Sequence, residues 1–186
     1  MAPLMEDVGR LQPVLDHCME FAMNAQSETW ADKLGLGGLQ ESDEELVNDL
    51  LVLLGSTEVD MTMLFRGLCS VPEPDVDHLS EAFYEGDEPS KTAWNAWLTR
   101  WWERVGGQPD RDTMRAANPK YVLRNWMAQL AIDAAEQNND FTVAEELHEL
   151  LKRPYDEQPE HEERWFQKRP EWARHRVGCS MLSCSS

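Results

Sequence analysis

The sequence predicts an all-α fold, an irregular multi-helix bundle, and three observations lead there. Apolar residues recur at three- and four-residue spacing in one segment after another. Gly, Pro, Asn and Asp stand between those segments, where helices start and stop. No stretch keeps the two-residue alternation of a half-buried strand: VGCSM is too short, and MTMLFR fits a helix better. With 186 residues the chain can bury a sizeable core. We expect a helical domain over 1–176 and a flexible, cysteine-containing tail over 177–186.

The first helix is expected over about 10–34. Pro13 lies in its first turn, and Val14, Leu15, Cys18, Phe21, Ala22 and Ala25 recur at helical spacing. Gly35-Leu36-Gly37-Gly38 ends it. That run lacks the spacing of a phosphate-binding loop and reads as helix termination. Ser42 or Asp43 caps a second helix, with Glu45 completing a capping box and Leu46, Val47, Leu50, Leu51, Leu53 and Leu54 on a wide apolar face. Asp60 or Thr62 starts a short third helix that buries Met63, Leu64, Phe65 and Leu68, and Pro72 and Pro74 open a loop. Asp77 starts another short helix, and the acidic 85–89 is a loop. Ser90 caps a helix with Trp94, Trp97, Leu98, Trp101 and Val105 on one face and Trp102 beside it. An aromatic stripe can stack nucleic-acid bases, but on an acidic body helical spacing favours core packing. Gly106-Gly107 stops the helix, and 108–117 lead to the next.

The central helix is expected to start at Asn118-Pro119, as cap and first helical residue. It buries Val122, Leu123, Trp126, Met127, Leu130, Ala131 and Ala134, with Ala128 and Ile132 widening the face, and ends at Asn138-Asn139. Asp140 or Thr142 caps a helix with Val143, Leu147, Leu150 and Leu151 inward; an amphipathic piece with Trp165 and Phe166 and a turn at Pro170-Glu171-Trp172 follow the 154–159 loop. Arg115, Lys120, Arg124 and Asn125 crowd the positive end of the expected central helix, where acids are the dipole-favoured choice. Two readings stand. The cations pair with the protein's carboxylates, or Arg115, Lys120 and Arg124 form an anion site with the helix N–H groups.

Composition excludes several classes. The formal charge is −18, from 17 Lys and Arg against 35 Asp and Glu. Nucleic-acid and anionic-membrane binders need the opposite balance. No apolar run is long enough to span a bilayer, and MAPLMEDVGR reads as neither a secretory signal nor a transit peptide. Residues 164–186 hold five basic residues against Glu171, a basic tail that docks on the acidic body, docks on an acidic neighbour or stays solvated.

Chemical motifs are sparse. No G-x-S-x-G occurs, and His148-Glu149 lacks the second His of a zinc motif because 152 is Lys. His161, His175, Cys179 and Cys184 have no recognised ligand spacing, so no metal site is expected. Cys18 and Cys69 sit in apolar helical patterns and are expected to be buried and slow to react. Cys184 lies two residues from the end, after Arg174, His175 and Arg176, whose charge favours the thiolate. It reads either as a reactive thiol or as part of an unreactive, frayed terminus.

Four ordered motifs carry a family resemblance. Lys33-Leu34-Gly35-Leu36, the Asp60–Arg66 run DMTMLFR, the Asn118–Gln129 run NPKYVLRNWMAQ and the ending Cys184-Ser185-Ser186 resemble, in that order, elements of the selenoprotein O family, in its C-terminal part only. The resemblance implies the C-terminal helical region of a kinase-like fold. It also implies a protein adenylyltransferase that moves AMP from ATP, with magnesium, to protein hydroxyls. The glycine-rich loop, strand Lys and metal-binding Asn and Asp that such chemistry needs are not in this sequence. No nucleotide or metal ligand carries over, and the chain alone is expected to be inactive, without a cofactor of its own. Cys184 matches the family's redox Cys or selenocysteine; four residues separate it from Cys179 where many relatives have two, a departure from a thioredoxin-like pair, and Cys184 pairs with Cys179 or with a Cys outside this chain. The expected role is a scaffold or redox-regulatory region, either truncated or a short relative, whose partner is a protein or the missing kinase-like lobe. The alternatives are a stand-alone helical interaction domain and a small redox protein. Full-length relatives are implied to be mitochondrial in eukaryotes and cytoplasmic in bacteria.

Overall fold

The computed structural model describes residues 11–84 and 88–179. They form nine α-helices and two 3-10 segments, and Val59 pairs with Phe83 in an isolated antiparallel bridge. The fold is all-α, as the periodicity predicts.

Helix α1, Leu11–Leu34, ends where Gly35 takes a φ of +63°. A side chain there would be strained, and its Cβ would stand 2.9 Å from the sulfur of Met114. A 3-10 turn, Glu41–Asp43, leads into α2, Glu44–Ser56. The expected Ser42–Glu45 box is replaced by the Asp43 carboxylate accepting from the Gln40 N–H at 2.8 Å. Asp43 also takes a forked pair from Arg104, at 2.6 and 2.8 Å. Helix α3, Met61–Leu68, is capped by Asp60, whose Oδ1 accepts from Met63 N at 3.0 Å. The piece expected from Asp77 is a 3-10 segment, Val76–Ala82, capped by Asp75. Helix α4, Glu88–Arg104, begins two residues before Ser90.

Trp94, Trp97 and Trp101 of α4 are buried at the centre of the first core, with Trp97 and Trp101 stacked at 6.2 Å between centroids. Each indole N–H finds an acceptor: Thr57 Oγ1 for Trp94, Leu46 O for Trp97 and Leu34 O for Trp101. The stripe is core, and these bonds offset the cost of burying its N–H groups. The core gathers the end of α1, α2, α3, the second 3-10 segment, α4 and Met114. Met114 comes from α5, Arg111–Ala117, a helix that the sequence reading left as a connection.

The second core holds Tyr121, Trp126, Met127, Leu147, Leu150, Trp165, Ala173 and Cys179. It is built by α6 (Asn125–Asn138), α7 (Thr142–Leu151), α8 (Pro159–Trp165) and α9 (Glu171–Arg174). Asn139 ends α6 in the left-handed conformation, φ 53°. The start of α6 corrects the sequence reading. Asn118-Pro119 does not open a helix; Asn118 follows α5, and 119–124 are non-helical, with a bend at Lys120, up to Arg124, the residue before α6. The N–H groups of Lys120 and Tyr121 both donate to Pro154 O, at 2.8 and 3.0 Å, so this segment spends its donors on a neighbouring loop. Val122 and Leu123 are consequently exposed, as is Ile132.

Candidate functional site

The two apolar cores share Phe166 at their border. Around it the junction is polar, and it is made largely by residues of the motifs quoted above. Arg66, at the end of α3, is 6% exposed and is the hub. Its Nη1 donates to Arg115 O and Asn118 O at 3.1 and 3.0 Å, and its Nη2 to Tyr155 O at 3.1 Å and to the Glu157 carboxylate. A rigid guanidinium fork suits four acceptors set by three segments.

Lys120 Nζ, 5% exposed, sits between Glu157 Oε2 at 2.9 Å and Glu162 Oε2 at 2.7 Å. Burial alone lowers its pKa, but the hydrogen bonds to Glu162 and Glu157 outweigh that and hold it above the ordinary lysine value. Glu157 is the converse: burial raises it, and Lys120 and Arg66 together bring it below the usual carboxylate range. Arg124 forms a forked pair with Asp60, with Nη2 to Oδ1 at 2.8 Å, so the cap of α3 is locked to the start of α6. Lys33 Nζ donates to Asn118 Oδ1 at 2.9 Å, and Asn118 Nδ2 returns a bond to Lys33 O, also at 2.9 Å. Burial lowers the Lys33 pKa and raises that of the neighbouring Cys69 thiol.

The far wall is the loop before α8. Gln158 there has a φ of 38°, unusual for a side chain with a Cβ, and its buried amide donates to Leu150 O and Arg153 O. This turns the carbonyls of Glu157 and Gln158 onto the Tyr121 hydroxyl, at 2.9 and 3.0 Å. A cavity of about 220 Å³ opens beside the network, lined by Arg66, His78, Lys120, Glu157, Glu162 and Phe166 among others.

The three cations singled out in the sequence therefore do not crowd one helix terminus. Lys120 and Arg124 lie in the non-helical segment before α6 and face carboxylates, while Arg115 sits on α5 with Asp112 at 3.7 Å. Cys179 is buried in the second core, and its carbonyl accepts from Asn125 Nδ2 at 3.3 Å. That part of the expected tail is packed; Cys184 lies outside the described residues. Cys18, expected to be buried, is exposed. Sequence reasoning missed Glu157 and Gln158, in a stretch it treated as a loop, and Glu162, just beyond that stretch in α8. Among the described residues no three His, Cys, Asp or Glu side chains are grouped as metal donors, and no helix is long and apolar enough to cross a membrane.

The profile of a family described as "Protein adenylyltransferase SelO" matches residues 3–152, which hold every cation of this network. The chain belongs to the SelO family. Over 197 residues it is 42% identical to a protein of Flavobacterium johnsoniae named "Protein nucleotidyltransferase YdiU", with 99% of this chain and 37% of that protein covered. A protein of the same name from Xanthomonas campestris pv. campestris strain B100 is 44% identical, with 100% and 37% covered. One from Aromatoleum aromaticum is 47% identical over 165 residues, with 84% and 31% covered. The chain thus spans little more than a third of the length of these SelO relatives.

Proposed function

We propose that this chain is the C-terminal helical part of a SelO-type protein adenylyltransferase and acts as its scaffold. In this reading the full-length protein moves AMP from ATP, with magnesium, to Ser, Thr or Tyr hydroxyls of proteins, and the nucleotide is held by the part that this chain lacks. One observation carries the scaffold role. Lys33, Asp60, Arg66, Asn118, Lys120 and Arg124, all from the family-like motifs, are engaged with one another or with Glu157 and Glu162. Side chains committed in this way position helices; a phosphate site needs cations with free valences facing an open cavity.

Cys184 is the redox thiol of this reading. Cys179, 8% exposed in the second core, or a cysteine outside this chain is its partner.

The test is protein labelling by an ATP analogue with magnesium, using the 186-residue chain and the intact Flavobacterium relative in parallel. Labelling by the relative and none by the chain is expected. Labelling by the purified chain above a contaminant control overturns the scaffold reading.

A further inference from the structure

The last turns of α1 bring Trp30 and Lys33 to a hollow of about 480 Å³, which Met61, Thr62 and Phe65 of α3 and Val122 of the non-helical segment help to close. Trp30 and Phe65 form its aromatic wall, with their rings 6.1 Å apart between centroids. Met61 and Val122 stand at its rim, 54 and 40% exposed. A concave space of this size, lined by aromatic and apolar side chains with a few polar groups, has the make-up of a small-molecule site.

The charged group on this wall is Lys33, and it differs from the other cations of the polar network. Arg66, Lys120 and Arg124 each contact a carboxylate; Lys33 contacts none among the described residues. One of its three N–H donors goes to Asn118 Oδ1 at 2.9 Å, and its Nζ lies 4.8 Å from the centre of the Phe65 ring. A ring face offsets a positive charge only in part. Burial holds the Lys33 pKa below the ordinary lysine value, whereas at Lys120 the bonds to Glu162 and Glu157 outweigh the same effect. Lys33 is thus an ammonium short of a counter-charge, on the wall of an apolar hollow, in a chain whose net charge is −18.

We infer that this hollow binds a small apolar carboxylate, an aryl- or alkyl-substituted monoacid, with its carboxylate on Lys33 Nζ and its apolar body among Trp30, Phe65 and Val122. Charge and shape select this class. One ammonium is neutralised by one carboxylate, and the charge-assisted hydrogen bond between them strengthens away from water. A phosphate brings further charge and further oxygens, which apolar walls leave without donors. Thr62 offers a donor to the second carboxylate oxygen, since its hydroxyl makes no internal hydrogen bond among the described residues. An uncharged apolar ligand fills the same space but strips water from Lys33 and returns no counter-charge. The inference goes beyond the scaffold role and does not depend on it.

The test is an NMR titration of the isotope-labelled 186-residue chain with phenylpropanoate, and with phenylpropanol as its neutral counterpart. The acid should shift the Trp30 indole and the Thr62 and Val122 amides to saturation, and the alcohol should bind at least about tenfold more weakly. Lys33→Met keeps an apolar stem and removes the charge, and should bring the acid down to the level of the alcohol. Equal binding of acid and alcohol by the native chain overturns the inference, because the charge is then unused. Shifts that saturate elsewhere on the chain overturn it too. So do shifts that fail to saturate by about 10 mM, which leave the hollow to a protein cover. If Lys33→Met does not fold, Val122→Glu decides. The exposed rim accommodates that change, and the added carboxylate should weaken the acid at least about tenfold and the alcohol less. Unchanged affinity for the acid overturns the inference. Sedimentation velocity runs alongside: a dimer that Val122→Glu dissociates gives the hollow to a second copy and overturns it as well.

Discussion

Arg66 shows how a single side chain sets the geometry of this molecule. It is buried at the end of a short helix and binds carbonyls of α5, of the segment after it and of the 154–159 loop. Truncation leaves those carbonyls without a donor, so Arg66→Ala should lower stability by about 3 kcal/mol in urea unfolding. Arg66→Lys keeps the charge but not the fork, and should recover only part of that loss. Glu157 gives a pH signature. Its folded pKa lies below the ordinary value of about 4.3, so its stabilisation is present above that value and is lost as pH falls through the depressed one. Lys120 is raised instead, so its contribution holds up to about pH 10.4 and is lost above its elevated value. The melting-temperature gap between the native protein and Glu157→Gln should therefore stay flat from about pH 6 to 9 and close below about pH 4. The thiols should separate as well. Alkylation followed by mass spectrometry should show Cys18 reacting faster than Cys69 and Cys179, since Cys18 alone of the three is exposed and burial raises the Cys69 pKa. Equal rates would contradict that placement.

Helix α6 carries the second core as α4 carries the first. Trp126 stacks on Trp165 at 5.9 Å, and both are almost fully buried. Trp126→Ala should cost about 3–5 kcal/mol, read as a lower denaturant midpoint at unchanged slope. An unmoved midpoint would remove α6 from the core. Most elements were legible in the sequence, because a buried helix face writes itself as three- and four-residue spacing. The Trp stripe of α4, the Asp60 cap and the Asn139 terminator are examples. The start of α6 was not legible, because Asn-Pro signals a cap wherever it falls, and only the long-range bonds from Lys120 and Tyr121 to Pro154 hold 119–124 out of a helix. Helix α5 was overlooked for want of length, although Asp110 followed by Thr113 is a cap signal. Cys18 misled for another reason. The periodicity of α1 is real, but it faces away from both cores, and periodicity does not say what covers a face. The site was half legible. Its cations stood out as a cluster, while their partners Glu157 and Glu162 come from a segment whose placement no local pattern encodes.

At the scale of the whole molecule, two apolar cores are joined by a charged seam on a strongly acidic body. Asp60–Arg124 and the contacts of Arg66 and Lys120 tie α3, the 119–124 segment and the loop before α8 together, while Arg169 and Arg174 both reach Glu58 at 2.8 Å from the chain's C-terminal part. The basic C-terminal stretch thus docks on the acidic body, as its charge suggests. These contacts and the net charge of −18 respond to salt in opposite ways. Self-repulsion among exposed carboxylates acts over long distances and is screened as the Debye length shrinks from about 30 Å at 0.01 M salt to about 8 Å at 0.15 M. The seam pairs are in contact and their cations largely buried: Arg66, Lys120 and Arg124 have side-chain exposures of 6, 5 and 15%. Screening reaches them little. Exposed pairs such as Lys91–Asp77 and Lys152–Glu149 are lost to salt, but they contribute little to begin with. Relief of repulsion should therefore win, and raising NaCl across that range should stabilise the fold by about 1 kcal/mol, a rise of about 2–4 °C in melting temperature. Repeating the titration with Arg124→Gln tests the division of roles. If the seam is shielded from salt, the variant melts lower at every concentration and its curve runs parallel to that of the native protein. A native melting temperature that falls with salt would instead mean that ion pairing outweighs repulsion and that the seam lies open to solvent ions.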